Sequence, residues 1–505
     1  MGSTCHPPSV LGPTRICAIS GRCLRASRRS PKTWHAPTIT SCRGTSASRP
    51  PSRPDAVKHA DLIVRSGTLV TPGGLHVGDV VCCAGRIVAL SAQGWTADES
   101  IDARGLHVLP GVIDSQVHFR EPGLTHKENL EAGTRGALLG GVTAVFEMPN
   151  THPLTLSAQD RQDKCERARG RAWCDYAFYM GGAAANVDQL PELERLPACA
   201  GVKVFMGSSF GDLLVDDATV LRRILRKGRR RLAVHAEDEA RLRERRALVE
   251  HSADVRDHPV WRDAESALLA TQRVVKLAME AQRRLHILHV STAEEMAFLA
   301  RHKASASISV EVTPHHLSLV APECYERLGT LAQMNPPVRD ARHQAALWQA
   351  VSNGVVDVLG SDHAPHTLDE KARPYPSSPS GMTGVQTLLP IMLNHVSAGR
   401  LSLQRLVDLT SAGPARIFGI EAKGHLSIGY DADLTLVDLK ARREITHGWI
   451  ASVSGWTPYD GLRVTGWPIA TVVRGRIVVR DGAVVGQPVG QPVRFAETAP
   501  GRRST

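Results

Sequence analysis

Seven polar side chains stand at or just past the ends of apolar, strand-like runs, and their types are those that bind cations, hold anions or move protons. Gln116, His118 and Arg120 follow Leu109-Pro110-Gly111-Val112-Ile113; Lys203 lies in Gly201-Val202-Lys203-Val204-Phe205. His235 closes Leu232-Ala233-Val234-His235, His289 closes Leu285-His286-Ile287-Leu288-His289, and Asp362 follows Val355-Val356-Asp357-Val358-Leu359. Side chains alternate along a strand, so 116, 118 and 120 project to one side. Imidazole and carboxylate are the groups that a borderline cation such as Zn²⁺ prefers. A single buried histidine is usually a satisfied core residue. Three histidines and an aspartate on four separate strand ends point instead to one metal site.

The elements that must carry these residues follow from the pattern around them. Apolar runs at 141–146, 201–205, 232–235, 285–289, 307–312 and 355–359 alternate with helical periods such as 262–283 and 341–352. Strand–helix alternation over about 300 residues predicts a parallel α/β sheet, and a (β/α)8 barrel fits that length. In such barrels the C-terminal strand ends host chemistry. Short strands separated by Gly and Pro turns occur at both chain ends, near 60–90 and again near 429–478. They predict a small composite β-sandwich built from 57–109 and 421–490, around a barrel over 110–420. Residues 367–384, rich in Pro, Ser and Gly, read as a covering loop without helical period. Residues 491–505 read as a disordered tail.

Composition narrows the function. Hydrophobic residues make up 42% of 505 positions, enough for a large core, and no apolar run is long enough to span a bilayer. The formal charge of +11 is concentrated in the first 54 residues, which hold nine of the 61 basic residues and no Asp or Glu. The rest carries 52 basic against 50 acidic residues, so nothing in its charge calls for a nucleic-acid partner. The Ser-, Pro- and Arg-rich stretch 1–56 reads as a disordered leader or a start assigned too far upstream, with an organelle transit peptide as the alternative. Ten cysteines without a CxxC pair fit a reduced, cytoplasmic interior.

Five segments together resemble a known family: Asp114-Ser115-Gln116-Val117-His118, Phe119-Arg120-Glu121-Pro122-Gly123, Met148-Pro149-Asn150-Thr151, Gln333-Met334-Asn335-Pro336-Pro337 and Ser361-Asp362-His363-Ala364-Pro365-His366. They look like those of the dihydroorotases, cyclic amidohydrolases of the pyrimidine pathway, over roughly residues 60–490. The resemblance implies a metal-bearing barrel with a composite sandwich. It also implies a ligand set of His118, Lys203, His235, His289 and Asp362, with one or two Zn²⁺ ions. Lys203 resembles a lysine that some relatives carbamylate with CO₂, turning a repelling ammonium into an anionic ligand; burial favours the neutral amine this needs. Asp362 resembles the general base. Arg120, helped by Asn150 and His366, resembles a carboxylate clamp, and Asn335 with backbone near Gly381 resembles a reader of the pyrimidine edge.

One position departs from the family. Where the first strand ordinarily offers Asp-x-His-x-His, Gln116 replaces the first histidine, and an amide oxygen is a weaker zinc ligand than imidazole. The expected reaction is the reversible cyclisation of N-carbamoyl-L-aspartate to L-dihydroorotate. The alternatives are an allantoinase or dihydropyrimidinase, or a catalytically silent subunit supporting aspartate carbamoyltransferase. The expected partners are a small-molecule substrate and further copies of the chain.

Overall fold

The computed structural model describes residues 57–207, 211–305 and 307–498; the leader expected over 1–56 lies outside them. Eight parallel strands run in chain order: Val112–Val117, Val142–Glu147, Asp175–Gly181, Cys199–Phe205, Leu232–His235, Leu285–Ile287, Ile308–Val312 and Val358–Leu359. Every residue of these strands is buried, which is why their sequences are almost continuously apolar rather than alternating. Past the eighth strand the chain meets the first again. His118 N donates to His363 O at 2.7 Å, and Ser361 N donates to Asp114 Oδ1 at 3.0 Å. The barrel therefore closes at the level of Asp362. Helices Ala264–Glu280 and Ala341–Ser352 occupy the periods read from the sequence, each opened by an aspartate side chain that accepts from the first turn.

A nine-stranded mixed sheet gathers both chain ends. Lys58–Thr71 pairs with Gly74–Cys83 and with Trp95–Asp102, and His107–Pro110 joins it to Leu434–Ile445, which continues into Leu462–Val473, Arg476–Arg480 and Ala483–Val484. One core serves both ends: Leu62, Val64, Val80 and Val108 pack with Leu434, Leu436 and Val472. Between two of its strands the chain leaves the sheet and reaches the barrel mouth. There Trp456 Nε1 donates to His366 O at 2.7 Å, and the Tyr459 hydroxyl lies 2.9 Å from His315 Nδ1.

Two sequence expectations are corrected. Residues 491–498 are ordered: Tyr176 N donates to Gln491 O at 3.0 Å, Val493 N to Tyr176 O at 2.9 Å, and Val493 and Phe495 are buried. Phe495 enters the barrel where its strands begin, 5.6 Å from the Phe146 ring and edge-on to it. The signal was Val493-Arg494-Phe495, a two-residue apolar alternation hidden among polar neighbours; 499–505 lie outside the described residues. The second correction concerns 367–384, which opens with a helical turn, Leu368–Lys371. Its reciprocal cap between Thr367 and Glu370 is written in the sequence as Thr-x-x-Glu.

Candidate active site

The strand ends do bring the inner set together. His118 Nε2 lies 3.3 Å from Asp362 Oδ1, and Gln116 Nε2 donates to that same oxygen at 2.7 Å. His235 Nδ1 faces His289 Nε2 at 3.1 Å, their rings edge to face. Lys203 is buried between the two pairs: its charge acts on Asp362, His235 and His289, and its Nζ sits 4.4 Å from the Phe205 ring centroid. Three of the expected site residues, Arg120, His289 and Asp362, have φ of 63°, 36° and 49°. Left-handed backbone costs a non-glycine residue of order 1–3 kcal/mol, and such strain gathers where side-chain aim matters more than local comfort.

Hydrogen bonds decide which ring nitrogens carry lone pairs. His235 Nε2 donates to Glu237 Oε2 at 2.8 Å, and Glu237 is anchored by Arg262, whose Nε lies 3.1 Å from Oε1. That leaves His235 Nδ1 as an acceptor facing His289. His118 Nδ1 lies 2.7 Å from Asn150 Oδ1, and its Nε2 faces Asp362. Burial holds all three imidazoles neutral by lowering their pKa values. The result is two close pairs of potential cation donors, His235 with His289 and His118 with Asp362. Ligands about 2.0–2.1 Å from one tetrahedral Zn²⁺ stand about 3.3 Å apart, so both pairs have the spacing of two donors to one cation. Among the described residues, however, no three His, Cys, Asp or Glu side chains converge on their own. A third donor to the His235–His289 pair must come from elsewhere, and Lys203 is the adjacent candidate.

Burial acts on the remaining groups in opposite directions. It would raise the Asp362 carboxyl, but His118, His289 and Lys203 outweigh it and hold Asp362 well below the usual carboxylate range. It brings Lys203 down to about 7 against the pull of Asp362 and Glu311, so at neutral pH a substantial share is neutral amine.

The family model described as "Amidohydrolase family" matches residues 107–478. The chain belongs to the amidohydrolase family. It is 35% identical over 441 residues to a dihydroorotase of Methanosarcina acetivorans, covering 85% of this chain and 94% of that one. It is 37% identical over 445 residues to an allantoinase of Rubrobacter xylanophilus, covering 86% and 97%. Among solved structures, the L-hydantoinase (dihydropyrimidinase) from Arthrobacter aurescens superposes with a TM-score of 0.82 at 32% identity, covering 86% of this chain and 99% of that one.

On the outer side of this amidohydrolase site, Arg120 is buried, with Nε donating to Pro365 O at 3.2 Å and Nη2 3.3 Å from His366 Nε2. Burial lowers its pKa to about 10, so it remains a cation at neutral pH. Asn150 sits on His118 rather than on Arg120. Asn335 Oδ1 lies 3.0 Å from His258 Nε2. Gly381 packs so closely on the loop after the eighth strand that a Cβ would come within 2.2 Å of Ala364 O.

Four participants escaped the sequence reading. Glu311 lies beneath the cluster, accepts from Ser115 Oγ at 2.9 Å and leaves Oε1 without a partner; burial pushes its pKa up to about 8. Its signal was a lone carboxylate inside an apolar run. Glu237, two residues past His235, could have been read as its anchor. His258 and Lys371 gave no local signal, because each acts on a distant segment.

Proposed function

We propose that this chain is a dihydroorotase that interconverts N-carbamoyl-L-aspartate and L-dihydroorotate. The observation that carries this reading is Arg120: a buried guanidinium at the mouth of the site with no carboxylate partner among the described residues. An unpaired buried cation is costly unless the substrate brings the counter-charge. Both proposed reactants carry such a carboxylate, whereas dihydrouracil is neutral.

His235, His289 and a carbamate on Lys203 would hold one divalent cation, and His118, Asp362 and the unpartnered Oε1 of Gln116 are the donors available to a second. Bound there, zinc would polarise the scissile carbonyl and lower the pKa of water. Arg120 would bind the substrate carboxylate through two parallel N–H donors and turn the ring carbonyl toward the cluster. Asp362 is held ionised, with Oδ1 taken by Gln116; its other oxygen, Oδ2, would take the proton of the attacking water and pass it to the departing ring nitrogen. Asn150 and Glu237 would keep His118 and His235 in the tautomers this requires.

Relatives named allantoinase and L-hydantoinase at similar identity support a second reading, a cyclic amidohydrolase of neutral rings. Assaying dihydroorotate, dihydrouracil, hydantoin and allantoin side by side on zinc- and bicarbonate-supplemented protein separates the two. The expected result is turnover of dihydroorotate, with Arg120→Ala raising its KM by about ten- to a hundredfold at unchanged metal content. Preference for a neutral ring would overturn the proposal.

A further inference from the structure

Lys371 is wholly buried, yet no carboxylate pairs with it among the described residues. Its Nζ donates instead to three main-chain carbonyls: Gln333 O at 3.1 Å, Pro379 O at 2.9 Å and Gly381 O at 3.1 Å. An ammonium has three donors, so this one is saturated by backbone alone. The three carbonyls lie on two segments distant in sequence. Gln333 leads into Met334-Asn335, and Pro379 and Gly381 end the loop that opens at Thr367.

The same two segments are tied a second time by the Gln333 side chain. Its Nε2 donates to Ser378 O at 3.0 Å and Ser380 Oγ at 3.1 Å, while Gly381 N donates to Gln333 O at 2.9 Å. Tyr375, from the loop, reaches His258 Nδ1 at 3.5 Å, and His258 holds Asn335. Burial alone pulls the Lys371 pKa down toward about 7, a desolvation cost that the three carbonyl acceptors oppose by favouring the ammonium. A methionine would fill similar volume without that cost. What the methionine lacks is the three donors.

We propose that Lys371 is a positioning residue for substrate binding: its ammonium clamps the loop of residues 367–384 onto Gln333–Asn335 and thereby sets Asn335 and Gly381 at the substrate face. The proposal rests on the reading that those two residues meet the substrate; Lys371 itself touches none. It is tested with Lys371→Met and with Gln333→Met, which removes the amide half of the joint and keeps the ammonium. Kinetics use whichever cyclic amide the wild type turns over best, and hydrogen–deuterium exchange is measured without substrate. The expected result is a KM raised about tenfold with kcat nearly unchanged, the pattern of lost uniform binding. Exchange should quicken at 375–384 and 333–335 while the barrel strands keep their protection. In Lys371→Ala, added propylammonium should restore KM and tetramethylammonium, which has no N–H donor, should not. Unchanged exchange in Lys371→Met would overturn the clamp, whatever Gln333→Met shows. Faster local exchange with an unmoved KM would overturn its role toward substrate. If Lys371→Met and Lys371→Ala fail to fold, Lys371→Gln, which keeps two N–H donors, takes their place in the same measurements. Should the wild type turn over none of the cyclic amides, the proposed activity falls, and the exchange experiment still decides the clamp.

Discussion

Two clusters of buried charge sit at opposite ends of the barrel, and the same burial drives them to opposite outcomes. At the floor, Lys423 Nζ lies 2.7 Å from Asp175 Oδ2 and 3.1 Å from Asp431 Oδ2, and it also contacts Asp433. Arg474 binds Asp175, and Arg86 and Arg494 reach Asp431 at 2.9 and 3.1 Å. Every charge there has partners of opposite sign, and three aspartates overcome the burial penalty to raise the Lys423 pKa. At the mouth, Lys203 has no anionic partner in contact and falls to about 7, and Glu311 rises to about 8. Oε1 of both Gln116 and Glu311 is left without a partner. A saturated network joins barrel to sheet; the one at the mouth keeps unpartnered polar atoms.

The sharpest way to break this contrast is to remove one charge from each end. Asp362→Asn should lower kcat by about 10²–10⁴-fold, the range of a lost general base, and cost less stability than Lys423→Met at the floor. A large loss of stability instead would place Asp362 with the floor. Lys423→Met should do the reverse, costing about 3–5 kcal/mol in urea unfolding by stranding buried aspartates, with the folded fraction retaining its kcat. Normal stability in that variant would show the floor charges to be dispensable.

A pH series separates the two lysines more finely. In chelated, bicarbonate-free protein, the folded Lys203 pKa lies below its unfolded value of about 10.4, so the unfolded chain holds more protons between about pH 7 and 10. Stability should therefore rise with pH across that window; Lys371, also near 7, acts in the same direction, and Lys203→Met should reduce the slope by up to about 1.4 kcal/mol per unit. Lys423 has the opposite sign. Its folded pKa is raised, so its contribution is complete below about 10.4 and lost only as the pH climbs beyond that. An unchanged slope in Lys203→Met would mean that another group titrates. The smallest expected effect belongs to Gln116→His, which should tighten zinc binding about tenfold by competitive chelation. No tightening would show that this position faces no cation.

Much of the inner cluster was legible because each of its polar residues stands alone at the end of an apolar run. His118, His235, His289 and Asp362 needed only strand alternation and the rule that barrel chemistry gathers at C-terminal strand ends. Their partners were illegible for a plain reason. Glu311 is defined by Ser115, 196 residues away, and Lys371 by one carbonyl 38 residues upstream and two more 8 and 10 residues downstream. Neither relation has a period or a spacing. The 491–498 segment was missed because two apolar residues are too short a signal until a barrel opening exists to receive them.

Local chemistry in the chain determined where strands and helices form, which end of each strand is polar, and which residue types could bind a cation or a carboxylate. Tertiary structure alone decided the charge each of those residues carries. A pKa depends on the number and sign of groups within a few ångströms after water has been excluded. Lys203 and Lys423 begin as the same side chain, and only the folded barrel gives one of them three carboxylates and the other none in contact.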